Sequence, residues 1–198
     1  MRRKIKQLFE KEGLPLSEEK AEKFEIYLRE LKKWNKVHNL TAIREEEEII
    51  KRHFIESVSL TKCLNEAGLN WEGKHFVDVG SGAGFPGVPL KIYLGNIRLT
   101  LIEAVSKKCA FLEYLKTKIE EDYGVICSRA ENVKEKFDVS ISRALGEFEE
   151  IKEIMEKLAR DYVFVMKGKK IKKEWLSEYR ICRISLSFIE TYVLWKKK

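Results

Sequence analysis

The sequence lacks the features of membrane and multidomain proteins. No apolar run approaches the ~20 residues that a membrane-spanning helix needs, and MRRKIKQLFEKEG reaches charged residues before the apolar core of a signal peptide could form. We therefore predict no membrane partner. With only three prolines in 198 residues, and without repeats or low-complexity linkers, any domain boundary must show as a change of residue periodicity.

Cysteine is also sparse. The four cysteines, Cys63, Cys109, Cys127 and Cys182, form no C-x-x-C motif and no metal-ligand spacing. We therefore expect no metal, reduced thiols and a cytoplasmic location.

Charge is abundant but unevenly distributed. Residues 163–198 hold ten Lys or Arg against three Glu, which accounts for the whole formal net charge of +7. This surplus is either a solvated surface or a basic edge that binds nucleic acid phosphates.

The periodicity changes near residue 73. Apolar residues spaced three and four apart predict helices over residues 17–36, with Ser17 as the N-cap, and over residues 45–64. From residue 73 onward, short β-rich runs alternate with helical stretches, and the last two runs are joined too briefly for a crossover helix. These patterns predict an α/β fold, a doubly wound and mostly parallel sheet with an antiparallel edge strand. Residues 1–72 are predicted to form a helical cap and residues 73–198 the α/β domain.

The turn FVDVGSGAGFPG follows the first predicted strand, where ligands bind in such folds. It is not a phosphate-binding Walker loop, because Val88 and Pro89 stand where Lys and Ser or Thr are required. Gly82, Gly84 and Gly87 satisfy G-x-G-x-x-G formally, but in poor register with the strand. The turn alone leaves a nicotinamide and an S-adenosylmethionine enzyme both open.

Two carboxylates lie close to this turn in sequence. Asp78 stands inside an apolar strand and should have a fixed hydrogen-bond donor. Glu103 ends the second strand, where a carboxylate can accept both ribose hydroxyls of an adenosine. Either residue could instead be structural, since Asp78 could bond only to turn amides and Glu103 could face solvent.

Several motifs occur in an order that resembles the bacterial glucose-inhibited division protein B family: WNKVHNLTAI, KRHFIESV, FVDVGSGAGFPGVPL, SRAENV, ISRAL and VMKG. The resemblance implies a Rossmann-like class I methyltransferase fold, S-adenosyl-L-methionine as cofactor and methylation of a guanine N7 in 16S ribosomal RNA. The implied partner is 16S ribosomal RNA or the small ribosomal subunit, either mature or as an assembly intermediate. We expect a monomer.

The resemblance also assigns roles to residues. The residues predicted for the cofactor site are Asp78 and Gly82, from the strand and the glycine turn, and Gly80, Phe85, Glu103, Ala130, Glu131 and Arg143, which the resemblance implies. Arg143 ends the fourth strand, and we expect it to be catalytic, because its fork can hydrogen-bond guanine O6. The residues expected to bind the substrate are Asn39, Arg52, His53, Lys167, Lys169 and Lys170. Arg52 could equally pair with Glu48, and His53 could be a core histidine.

Two other functions remain open. A nicotinamide oxidoreductase fits the formal glycine fingerprint and Glu103, but no Y-x-x-x-K follows the fourth strand. A non-catalytic RNA-binding protein fits the basic edge but does not explain the cofactor residues.

Overall fold

The first part of the chain is helical. The computed structural model of the protein describes residues 1–143, 146–168 and 171–198. Its first helices are α1 (Arg2–Lys11), α2 (Glu18–His38), α3 (Glu46–Ile49), a π-helical segment (Ile50–Ile55), α4 (Glu56–Val58) and α5 (Leu60–Glu66). The Ser17 hydroxyl accepts a hydrogen bond from the backbone N–H of Lys20 at 3.3 Å, which confirms the predicted cap of α2. The helix predicted over residues 45–64 is also present, but a π-helical segment and a short break divide it into α3, α4 and α5.

The rest of the chain forms a seven-stranded sheet with helices. The strands are β1 (His75–Val79), β2 (Arg98–Glu103), β3 (Gly124–Cys127), β4 (Phe137–Arg143), β5 (Ala159–Lys167), β6 (Arg180–Leu186) and β7 (Ile189–Lys197), and the connecting helices are α6 (Gly87–Leu94), α7 (Ser106–Lys118) and α8 (Phe148–Leu158). The strand order is β3-β2-β1-β4-β5-β7-β6, with β1 to β5 parallel and β7 antiparallel to both neighbours. The predicted doubly wound fold and antiparallel edge are confirmed. The order reverses between β1 and β4, which makes their carboxyl ends the expected ligand site.

The two faces of the sheet have different apolar cores. Phe76 of β1 packs into a large cluster with the amino-terminal helices, α6 and α7. Val77 and Val79 point to the opposite face and pack with α8. The amino-terminal helices therefore share one core with the sheet. Among the described residues, no helix is both long enough and apolar enough to cross a membrane.

The cysteines are paired, contrary to the prediction of reduced thiols. Cys63 of α5 is bonded to Cys182 of β6, and Cys109 of α7 is bonded to Cys127 at the end of β3. Periodicity could not reveal these pairs, because their members lie 119 and 18 residues apart and meet only through the fold. The first disulfide links the helical cap to the carboxy-terminal hairpin.

This first disulfide should contribute strongly to stability. It closes the longer loop, with a sequence separation of 119 residues, so the Cys63→Ser/Cys182→Ser double variant should lose about 2–4 kcal/mol of unfolding free energy. For a protein of this size, the melting temperature should fall by roughly 5–15 °C. The Cys109→Ser/Cys127→Ser variant, which opens the shorter loop, should lose less in the same thermal-melting experiment. An equal or larger loss in the second variant would contradict this ranking.

Candidate functional site

The turn after β1 bends back onto the end of β2. The backbone N–H groups of Gly80 and Ser81 donate to the carbonyl of Ile102 at 2.9 and 3.1 Å. Gly82 follows with φ +60°, and a Cβ at this position would point into open space. Gly84 has φ +105°, and a Cβ there would lie 2.6 Å from the Tyr27 hydroxyl, so a side chain would collide with the cap. The glycines thus allow the tight turn and the close approach of the cap.

Glu103 is held in a fixed orientation by this turn. Its Oε2 accepts the N–H of Gly82 at 2.8 Å, and its Oε1 accepts the N–H of Val105 at 2.8 Å. A carboxylate has about four lone-pair sites, so each oxygen keeps one for a ligand hydroxyl. Glu103 therefore forms a pre-oriented acceptor for a vicinal diol such as a ribose.

A cavity of about 470 Å³ opens in front of Glu103. Five of the residues predicted for the cofactor site line it together, namely Gly80, Gly82, Glu103, Ala130 and Glu131. Ile151 and Ile154 of α8 supply apolar surface, and Lys108 and Arg129 stand at the wall. A diol acceptor beside an apolar wall fits the adenosine of S-adenosylmethionine, and the volume is within the usual range for small-molecule sites.

Asp78 is not among the residues that line this cavity. It is fully buried, and its Oδ2 accepts the N–H of Gly87 at 2.8 Å, which supplies the predicted fixed donor. Its Oδ1 has no hydrogen-bond partner among the described residues. Burial raises the pKa of Asp78 to about 7, against the opposing effects of the Gly87 bond and of Arg143. Asp78 therefore stabilises the glycine turn through its hydrogen bond to Gly87.

The raised pKa of Asp78 predicts a pH-dependent stability. Between pH ~4 and ~7 the folded protein keeps a proton at Asp78 that the unfolded chain has released, so stability should fall as the pH rises through this window. Asp78→Asn keeps an acceptor for Gly87 and cannot ionise. We expect its urea midpoint, relative to wild type, to improve between pH 5 and pH 8 by an amount worth roughly 1–3 kcal/mol. Asp122→Asn, at an exposed position, is the control, and a constant difference between Asp78→Asn and wild type would contradict the assignment.

Phe85 lies outside the cofactor cavity, in an aromatic stack under the cap. Its ring lies between those of His53, at 4.3 Å between centroids, and Tyr27, at 5.5 Å. The Tyr27 hydroxyl donates to the carbonyl of Ala83 at 2.5 Å. This stack joins the helical cap to the glycine turn.

Arg143 crosses from the end of β4 to the π-helical segment. Its guanidinium lies 5.2 Å from the centroid of the Phe85 ring. Nη1 donates to the carbonyl of Arg52 at 2.7 Å, and Nη2 lies 2.9 Å from Nδ1 of His53. Because an arginine only donates, His53 Nδ1 is the acceptor and Nε2 carries the proton, which it donates to Thr41 Oγ1 at 2.7 Å. Burial, together with Arg143 and Arg52, lowers the pKa of His53 to about 3, so the imidazole is neutral.

A second cavity of about 310 Å³ lies beside Arg143. It brings together three residues predicted for the substrate, namely Arg52, His53 and Lys167. Glu56, Met166 and Thr191 also line it. Arg52 pairs with Glu56, at 3.4 Å between Nε and Oε2, rather than with Glu48. This cavity combines cationic, anionic and apolar surface at the ends of β4 and β5.

The other predicted substrate residues lie elsewhere. Asn39 is exposed at the end of α2, in left-handed conformation with φ 49°, and its Oδ1 accepts a bond from Arg44 at 3.0 Å. Lys169 and Lys170 lie outside the described residues. Part of the basic surplus is neutralised within the fold, because Lys172 pairs with Glu149 and Lys196 with Glu156.

Two residues of the site, Tyr27 and Glu56, were not predicted from the sequence. Tyr27 is buried on α2, but nothing in the sequence pattern indicates that it would support the glycine turn. Glu56 lies within the KRHFIESV motif, where its charge looks like an ordinary exposed position. Its burial, 8% exposed, is visible only in the folded protein.

The sequence of this chain is similar to that of known RNA methyltransferases. Residues 20–197 match the family described as rRNA small subunit methyltransferase G. The chain is 66% identical to the ribosomal RNA small subunit methyltransferase G of Aquifex aeolicus (strain VF5), over 98% of this chain and 99% of that one. It is 39% identical to the protein of the same name from Roseiflexus sp. (strain RS-1), over 82% of this chain and 71% of that one.

A solved structure supports the fold. The magnesium protoporphyrin IX methyltransferase of Synechocystis PCC 6803, with bound S-adenosylmethionine, superposes with a TM-score of 0.64. The superposition covers 100% of this chain and 96% of the Synechocystis chain. At 14% sequence identity, the likeness concerns the fold alone. These matches leave the nicotinamide-oxidoreductase alternative without support. The chain belongs to the rRNA small subunit methyltransferase G family of S-adenosylmethionine-dependent enzymes.

Proposed function

We propose that the protein transfers a methyl group from S-adenosylmethionine to N7 of a guanine in 16S ribosomal RNA. The observation that carries this proposal is the pre-oriented Glu103 carboxylate in a cavity of cofactor size, in a chain of this family. The second cavity, across the end of β4, supplies a place for the target base.

The residues around the first cavity hold the cofactor in this proposal. Glu103 accepts the ribose hydroxyls, Ala130 and Glu131 lie at the adenine, and the backbone of Gly80 and Gly82 approaches the ligand closely. When bound, S-adenosylmethionine supplies a methyl group on a positively charged sulfur, and the charge passes to the base when the carbon–sulfur bond breaks and the carbon–nitrogen bond forms. Ile151 and Ile154 exclude water from the adenine side.

A ring nitrogen is the acceptor that best suits the second cavity. Guanine N7 has an in-plane lone pair and loses no proton on methylation, so no general base is required. Ser142 and Arg143 stand where enzymes that methylate exocyclic amines have [ND]-P-P-[YFW]. Ser142 is buried, and its hydroxyl donates a hydrogen bond to the carbonyl of Val79 at 3.1 Å, so its role is structural. Arg143 then acts by fixing the geometry between the two cavities.

The RNA must present this guanine outside a regular duplex. In an A-form helix N7 faces a deep, narrow groove that protein cannot easily enter, so the substrate is a loop or an assembly intermediate of the small subunit. Arg52 and Lys167 line the second cavity, and in this proposal their positive charges hold phosphates of the RNA there. A ribosomal substrate implies a cytoplasmic location, and we propose that the protein acts as a monomer.

Transfer of labelled methyl from S-adenosylmethionine tests this function directly. The acceptors are naked 16S RNA and small-subunit particles, both from cells that lack the enzyme. The proposal predicts that the label appears at one guanine. Chemistry that cleaves RNA specifically at 7-methylguanine should then cut the strand at that guanine. Absence of transfer to either acceptor, with measurable cofactor binding, would refute the ribosomal assignment and leave only the cofactor site standing.

A further inference from the structure

Glu56 places a buried negative charge on the wall of the second cavity. It lies at the start of α4, directly after the π-helical segment, and its side chain is 10% exposed. The cavity also contains the cationic side chains of Arg52 and Arg143 and the apolar side chains of Met166 and Ile189. Burying an acid there is costly unless strong donors face it.

The protein itself only partly satisfies this carboxylate. Within the part of the chain that the structure describes, its one hydrogen bond is from Arg52 Nε to Oε2, and at 3.4 Å this bond is long. Arg143 is attracted to Glu56 electrostatically, but its recorded hydrogen bonds go to the Arg52 carbonyl, Ser57 and His53. A carboxylate has about four acceptor sites. The Glu56 carboxylate therefore has acceptor sites that no described protein group fills, and it lines the second cavity, where a ligand can fill them.

We propose that Glu56 recognises the target base by accepting hydrogen bonds from the N1–H and N2–H₂ groups of guanine. This proposal rests on the proposed function and extends it to base specificity. Of the four RNA bases, only guanine presents two adjacent donors on its Watson–Crick edge, and these match the two oxygens of a carboxylate. Adenine and cytosine present an unprotonated ring nitrogen there, which would oppose the carboxylate. Glu56 therefore both selects guanine and rejects the alternatives.

The topology places this contact opposite the reacting edge. Met166 of β5 lines the Glu56 cavity, Val79 of β1 lines the cofactor cavity, and β4 with Arg143 runs between them. The two cavities are thus about two strand spacings, or ~10 Å, apart. The Watson–Crick edge and N7 lie on opposite sides of a purine. Anchoring the first on Glu56 therefore directs N7 across the end of β4 toward the methyl donor.

The test compares guanine with inosine at the accepted position of a synthetic RNA. Inosine keeps N7, O6 and N1–H but lacks the N2 amino group, so it loses one bond to the carboxylate. Wild type should prefer guanine over inosine about 10–100-fold in kcat/KM, as expected for one hydrogen bond to a charged group. Glu56→Gln, with one acceptor oxygen and a competing amide donor, should lower kcat/KM on guanine by about 100-fold and reduce the preference to about 3-fold or less.

Two further variants separate recognition from structure. Glu56→Asp keeps the carboxylate and should retain a guanine preference, whereas Glu66→Gln, at an exposed position on α5, should behave as wild type. All variants should bind S-adenosylmethionine with wild-type affinity, because Glu56 does not line that cavity. Equilibrium binding of the two RNAs needs no turnover and gives the same ratio for a variant that is inactive.

The outcomes distinguish this proposal from the proposed function. If wild type methylates neither RNA, whether naked or assembled into small-subunit particles, the proposed function fails, and the recognition proposal fails with it. If wild type methylates guanine but shows the same guanine-to-inosine ratio as Glu56→Gln, the function stands and the role of Glu56 is overturned. A wild type that accepts both bases equally has the same consequence for Glu56.

Discussion

Arg143→Ala is expected to lower kcat/KM for methyl transfer by about 10²–10³-fold. Arg143 connects the end of β4 to the π-helical segment, because its guanidinium donates hydrogen bonds to the Arg52 carbonyl and to His53 Nδ1. Without it, both partly buried acceptors lose this charged donor, at about 1–3 kcal/mol each. The wall between the cavities then shifts, and a displacement of about 1 Å is enough to cost ~10²-fold in rate. Steady-state transfer to the RNA measures the loss.

Arg143→Lys separates charge from geometry. A lysine keeps the positive charge but cannot reach both acceptors with one rigid fork, so we expect it to recover less than about a tenth of wild-type kcat/KM. Arg98→Ala, at an exposed position at the amino end of β2, is the matched control and should retain full activity. Wild-type kcat/KM in Arg143→Lys would show that the charge alone matters and would contradict the positioning role.

Glu103→Gln is expected to weaken S-adenosylmethionine binding at least about 30-fold. Both Glu103 oxygens accept a backbone N–H, and a glutamine must place its NH₂ group against one of these donors. The variant loses one anchor and one ribose acceptor, each worth about 1.5–3 kcal/mol for a charged group. Equilibrium binding by calorimetry measures the loss, and KM for the cofactor should rise more than kcat falls.

Two comparisons make this result specific. Glu113→Gln, at an exposed position on α7, should bind the cofactor as wild type does. Glu131→Gln, at an exposed position on the wall of the same cavity, should have a smaller effect than Glu103→Gln, because its side chain is not held by the turn. Unchanged affinity in Glu103→Gln would remove the ribose-binding role from this residue.

Local pattern predicted the sheet well. Strands such as β1 and β4 appear where the β-rich runs indicated, because buried strands leave clear local signals. The position of Glu103 at a strand end followed from the same pattern. The strand order and the reversal between β1 and β4 were not predicted and are known only from the structure, since no local signal encodes which strands pair.

Contacts between distant residues were not predictable in this way. Arg143 was placed correctly at the end of β4, but its acceptors lie 90 and 91 residues earlier in the chain. Phe85, in the glycine turn, proved to be stacked under the cap because Tyr27 and His53 approach from other helices. The disulfides escaped prediction for the same reason. In each case the deciding partner comes from a segment whose approach is set by the whole fold.

The most direct test of the proposed chemistry replaces the accepted guanine by 7-deazaguanine. This base keeps the Watson–Crick edge and O6 but has a C–H group in place of N7. The account predicts that the modified RNA binds with nearly unchanged affinity and accepts no labelled methyl. Transfer at the wild-type rate would show that another atom is the acceptor, and would contradict both the N7 assignment and the base orientation inferred from Glu56.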